Sequence, residues 1–392
     1  MSDVDSRLKV SPLKQQSEPS STLSRFFISG WGIIFTGAII GVLGPVLQKL
    51  GNPPNMGICA ACFERDIAGA LGLHRAGVVQ YIRPEIIGFV FGSLIASLVF
   101  REFKGRTGSA PGVRFLFGVF AMIGALVFLG CPWRALLRLG GGDLNALVGL
   151  AGLASGVGLG IIFIKKGYNL GQSRPTYPAV GWIMPFLMLG LLLLAIFQPQ
   201  FSPGGAIFDS TKGPGAMHAP LVISLLAAVV VGFLAQRSRF CTTGAIRNVM
   251  LMGETRLLRG VITLIVVAAV TNLILGQFTL GMAAQPIAHS SHLWNFLGMS
   301  LAGLAFSLGG GCPGRQLILS GEGDGDATVF VLGMIVGAAF AHNFALAAKP
   351  DKMVDGVVTV GGVGTSGMVA VVLGLVVCCV IGLTLREKTP AD

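Results

Sequence analysis

The chain has 392 residues, 53% of them hydrophobic and 11% charged, with a net charge of +11 and a mean hydropathy of +0.78. A soluble chain of this length needs far more charge to cover its surface, so the bilayer is the solvent for most of it. No basic tract interleaved with aromatics accompanies the positive charge, so no nucleic-acid partner is expected. Seven cysteines scattered through apolar sequence do not form a disulfide scaffold.

In chain order, residues 1–25 are polar, Ser-rich and mixed in charge, and a disordered cytoplasmic tail is expected there. The apolar run from Phe26 to Leu50 is too long for a signal-peptide core and reads as the first span. A window of about 19 residues gives ten spans, near 26–50, 84–100, 112–130, 144–164, 180–198, 219–236, 257–278, 294–311, 327–347 and 366–385. Two shorter apolar stretches, 57–73 and 240–253, carry charge and cannot cross. They read as half-helices, tolerated at membrane depth only when buried in protein or lining a cavity. The expected fold is therefore an all-α polytopic membrane protein of about ten transmembrane helices plus short re-entrant half-helices. The 58 glycines suit it, because small residues let membrane helices approach closely. Ten spans leave both termini on one side. The loops at 101–114, 165–174 and 237–259 hold most of the Lys and Arg excess and 279–293 has none, which places the termini in the cytoplasm.

An internal repeat is visible by eye. Cys131-Pro132-Trp133-Arg134 recurs as Cys312-Pro313-Gly314-Arg315, and Gly140, Gly142, Asp143, Gly152 and Gly156 meet Gly321, Gly323, Asp324, Gly333 and Gly337 at the same offset. Upstream, Cys59 and Arg65 recur as Cys241 and Arg247 with the same spacing. The expected divisions are a first repeat at 26–164, a linking span with its loops at 165–218, a second repeat at 219–347, and a final span with a cytoplasmic tail at 348–392. Five crossings separate the repeats, an odd number, so the two should be inverted. Arg65 and Arg134 then reach toward the periplasm, Arg247 and Arg315 toward the cytoplasm. Inverted repeats with broken helices place a transport site at the repeat interface.

The recurring residue types define a chemistry. A thiol is soft, a guanidinium is always charged and attracts anions, and half-helix N-termini add N–H groups aimed at negative charge. Cys59, Cys131, Cys241 and Cys312, with Arg65, Arg134, Arg247 and Arg315, suit a small anion with one soft and one hard end. Cys62 lies outside the symmetry, its counterpart being Gly244, and makes a Cys-x-x-Cys element that by itself suggests redox exchange or a metal pair. Arg65 and Arg247 are also open to an interfacial, snorkelling role. Cys378 and Cys379 read as packing residues. Asp143 and Asp324 read as helix caps, Glu64, Asp66 and Glu322 as counter-ions for the arginines, and His342-Asn343 as a helix–helix hydrogen bond. No P-loop, Walker lysine or nucleophile elbow is present, so neither ATP-driven work nor enzymatic catalysis is expected, and no metal or cofactor.

These duplicated Cys-x5-Arg and Gly-Cys-Pro-x-Arg motifs resemble the YeeE/YedE family, over roughly residues 30–350. The run from Asn52 through Cys59-Ala60-Ala61-Cys62 to Asp66, followed by Ala70 to Pro84, looks most like its selenium-associated YedE branch. The resemblance implies a bacterial inner-membrane transporter for a small sulfur- or selenium-bearing anion. It also implies that Cys59, Cys131, Cys241 and Cys312 hand the substrate along, and that a small cytoplasmic sulfur-carrier-like protein is a partner. The alternative is a membrane thiol–disulfide oxidoreductase moving electrons through the cysteines. A soft-metal permease is a weaker third.

Overall fold

In hydrocarbon a backbone must satisfy its own polar groups, and long runs of Leu, Ile, Val and Ala do so as helices. The computed structural model describes residues 25–27, 29–197, 207–355 and 357–386. All of the expected N-terminal tail except Arg25 lies outside them.

The first half holds α1 (Gly30–Lys49), α2 (Ala60–Ala70), α3 (Pro84–Val99), α4 (Pro111–Phe128), α5 (Pro132–Gly140) and α6 (Asn145–Lys165). Helix α7 (Pro178–Phe197) follows. The second half repeats the order as α8 (Leu221–Ser238), α9 (Thr242–Met252), α10 (Arg256–Ile274), α11 (His292–Gly309), α12 (Pro313–Gly321) and α13 (Gly325–Asn343), and α14 (Thr365–Thr384) closes the chain. Two small antiparallel pairs lie in the loops, β1 (Arg106–Thr107) with β2 (Arg174–Pro175), and β3 (Lys352–Val354) with β4 (Val357–Thr359).

Nine helical stretches among the described residues are long and apolar enough to cross a membrane. The remaining expected span, 84–100, forms the 16-residue α3. At 1.5 Å per residue it reaches about 24 Å, short of a hydrocarbon layer of about 30 Å. Its start can stay short because residues 84–90 are buried in protein rather than set at a lipid–water boundary. Helices α2, α5, α9 and α12 have nine to eleven residues each. They are the half-helices anticipated at 57–73 and 240–253, plus one behind each Cys-Pro motif.

Packing between the halves is reciprocal. Helix α1 lies along α10 and α3 along α8, while α4 lies along α13 and α6 along α11. Each contact runs parallel, and glycines set its closeness: Gly37 and Gly41 meet Gly260 and Leu264 in the same order, and Gly152 and Gly156 meet Phe296 and Ser300. Near the end of α1, the Asn52 side chain donates to Glu85 at the start of α3 at 2.7 Å, so α1 and α3 run oppositely. The loops interlock as well, with Asp143 bridged to Gly281 and Asp324 bridged to Arg106.

A Cβ at Gly156 would collide with the Ser300 carbonyl oxygen, whereas nothing lies within 4 Å of one at Gly190. Gly156→Val should therefore cost on the order of 1–3 kcal/mol through overpacking. The expected result is a clear drop in the thermal midpoint of the detergent-purified protein, with Gly190→Val unchanged.

Candidate thiol–arginine site

In the first half, Cys59 is the N-cap of α2, and its thiol accepts from the Cys62 amide at 3.3 Å. Pro132 opens α5, where its missing N–H costs nothing, and it holds Cys131 in extended backbone just before the helix. The two free thiols meet across 72 residues with Sγ atoms 3.6 Å apart. The Sγ of Cys62 lies 3.9 Å from Nη1 of Arg134. Arg134 is fully buried and donates to the backbone carbonyls of Asn55, Leu129 and Ile287. Among the described residues no carboxylate pairs with it. Two acids of this half are committed to other arginines: Asp66 bridges Arg65 at 2.6 Å and Arg83 at 2.7 Å, and Asp143 holds Arg138 at 2.6 Å.

The second half repeats the construction. Cys241 caps α9, its thiol accepts from the Gly244 amide at 3.2 Å, and its Sγ lies 3.7 Å from that of Cys312. This pair is not sealed. Cys241 lines a cavity of about 370 Å³ with Arg239, Arg247, Arg256, Arg315 and the Gly310–Gly311 turn. Glu322 takes Arg239 at 2.9 Å and Arg315 at 3.3 Å, Arg239 also bridges Glu102 at 2.9 Å, and the cavity lining itself holds four arginines and no acid among the described residues.

The structure thus gathers Cys59, Cys62, Cys131 and Arg134 in one place, and Cys241, Cys312, Arg247 and Arg315 in another. Arg65 departs from the symmetry. Its guanidinium is taken up by Asp66, whose counterpart beside Arg247 is the uncharged Asn248. Glu64, anticipated as a counter-ion, is buried with both carboxylate oxygens unpartnered among the described residues, and Asp66 pairs with two arginines at once. Asp324 caps α13, accepting from the Ala327 amide, whereas α6 starts from Leu144 and Asp143, one residue earlier, accepts from the Asn145 amide; each aspartate also binds an arginine. His342 lies against His74, the rings tilted by 37° with centroids 4.5 Å apart, and Asn343 donates to the Leu73 carbonyl, so both contact a loop rather than a neighbouring helix.

Arg83, Arg138, Arg239 and Arg256 escaped the sequence reading. Arg138 has Leu319 as its counterpart, so a search for symmetric motifs passes over it. Arg239 stands two residues before Cys241, the one local signal available. Among the described residues no group of three or more His, Cys, Asp or Glu could hold a metal ion.

Fold and site define a polytopic helical membrane protein with a duplicated, buried thiol–arginine centre. Residues 237–391 match the family described as Sulphur transport. Over 111 residues the chain is 29% identical to the thiosulfate transporter TsuA of Escherichia coli (strain K12), covering 27% of this chain and 30% of that protein. The chain therefore matches less than a third of that relative's length. Over that part the chain is similar to the sulphur-transport family, in line with the resemblance of its motifs to YeeE/YedE. The match takes in α14, which the motifs had left outside the resemblance.

Two expectations follow from burial. Asp66→Ala strands two buried guanidinium groups and should cost about 3–5 kcal/mol, whereas Glu64→Gln breaks no contact; thermal unfolding compares them. A charged, water-soluble thiol reagent should modify Cys241 before Cys59, Cys62, Cys131 or Cys312, read by mass spectrometry. Faster labelling of Cys59 or Cys131 would contradict the sealed first centre.

Proposed function

We propose that the protein is a permease or facilitated pore bringing a small sulfur-bearing anion into the cell, with thiosulfate as first candidate and selenium analogues next. The observation that carries this is Arg134, a fully buried guanidinium beside three thiols with only neutral partners. A unit charge 4 Å away is worth about 4 kcal/mol at an effective dielectric near 20. An anion gains that amount and a cation loses it. The difference opposes Cu(I), which thiols alone would favour.

In this reading the anion's sulfur end contacts the Cys59, Cys62 and Cys131 thiols while its oxygens face Arg134. It then passes to Cys241 and Cys312 and leaves through the arginine-lined cavity. Neutral thiol contacts are weak, which permeation needs, since a site must release what it binds. The halves are inverted in this proposal. In its support, α1 packs parallel to α10, the counterpart of α3, although α1 and α3 run oppositely. The Lys and Arg distribution supports an inner-membrane placement with cytoplasmic termini. A sulfur-carrier-like acceptor on that face rests on the family resemblance alone.

Uptake of labelled thiosulfate, with selenite and selenosulfate in parallel, into liposomes holding the purified protein tests the proposal. A Cys241→Ala, Cys312→Ala double variant should fall to the level of protein-free liposomes. Normal uptake by that variant would end the thiol role.

The 3.6 and 3.7 Å thiol spacings also favour a second reading, electron transfer through disulfides. Against it, electron transfer has no use for Arg134 beside the first thiols or for Arg315 in the cavity beside the second pair. Alkylatable thiols counted after reduction and after oxidation decide the matter, an unchanging count ruling electron transfer out.

A further inference from the structure

We propose that Trp133 is the barrier between the two thiol pairs, and that its indole N–H is the hydrogen-bond donor an anion meets in passing from one pair to the other. This rests on the transport reading above.

Trp133 is the third residue of the first Cys-Pro-x-Arg motif, and the same place in the second motif is Gly314. The two positions are in contact. A Cβ at Gly314 would lie 2.6 Å from Cζ2, 2.7 Å from Cε2 and 2.8 Å from Cη2 of the indole. The ring therefore reaches from the Cys131 side onto the backbone of the Cys312 motif. It is boxed in edge-on by Phe89, at 5.5 Å between centroids, and by Phe240, at 6.0 Å. Phe240 immediately precedes Cys241. The indole thus abuts residues within two positions of three thiols, Cys131, Cys241 and Cys312, drawn from both pairs. Departure from the repeat is required here, since a side chain at Gly314 would occupy the ring's own space.

The polar atom of the ring carries the second half of the proposal. Nε1 of Trp133 is buried and has no hydrogen-bond partner among the described residues, with the residue 1% exposed. An unmet buried N–H is unfavourable, and an apolar ring of similar size would avoid that penalty. Packing alone thus explains a bulky side chain but not an indole. An oxyanion moving between the pairs supplies the missing acceptor.

Wild type, Trp133→Phe and Trp133→Ala are reconstituted into liposomes, and fluxes of labelled thiosulfate and of chloride are followed. Trp133→Ala should leak chloride above protein-free liposomes, while wild type and Trp133→Phe stay tight. Trp133→Phe should raise the thiosulfate KM roughly tenfold or more, the effect of losing one hydrogen bond to a charged group. A chloride-tight Trp133→Ala overturns the barrier, and an unchanged KM in Trp133→Phe overturns the donor. If Trp133→Ala is lost on purification, Trp133→Leu gives the same leak readout while keeping apolar packing. A wild type that carries no thiosulfate overturns the transport reading and the donor with it, and the chloride flux still decides the barrier.

Discussion

A helix that stops inside a bilayer exposes backbone ends to a medium without water, and only other parts of the protein can satisfy them. This chain does so four times, at α2, α5, α9 and α12. Two of the starts are capped by thiols, and the other two open on proline directly after a cysteine. Every other feature of the centre follows from enclosing those starts. Carbonyls freed at the breaks, such as those of Asn55 and Leu129, become partners for Arg134. Glycine-lined crossings then bring the halves close enough for the four breaks to meet.

Enclosure has an electrostatic consequence. A buried guanidinium stabilises the fold only when its charge is met, and the first half meets three of its four by ion pairs, Arg65 and Arg83 through Asp66 and Arg138 through Asp143. Among the described residues Arg134 is met by neutral carbonyls and a thiol alone. That charge sits where the soft atoms are, and the proposed anion would supply its counter-charge. The second half shows the same motif in an open setting, where Glu322 is divided among several arginines and Cys241 borders a cavity.

Much of this was legible in the residue string. Hydropathy marked the spans, and a broken window marked the half-helices. The Cys–Arg repeat marked both centres, because repetition at fixed spacing is visible without coordinates. Three things stayed hidden, each for a physical reason. Arg138 and Arg83 lack counterparts in the other half, so symmetry could not flag them. The choice of Asp66 rather than Glu64 as the bridging acid depends on which way each side chain leaves α2, and neighbours in sequence look alike there. The role of Trp133 depends on contact with Gly314, 181 positions away.

By itself, then, the sequence determined the solvent of this protein, its helical class, its duplication and the residue types at its centre. Composition and spacing are one-dimensional properties, and the bilayer leaves few ways to honour them. Only the tertiary structure decided which thiols pair, which arginine keeps an unmatched charge, and which pair lies open to a cavity. Those outcomes turn on distances of three to four ångströms between segments about seventy residues apart, and they are set by how closely glycine lets the helices approach.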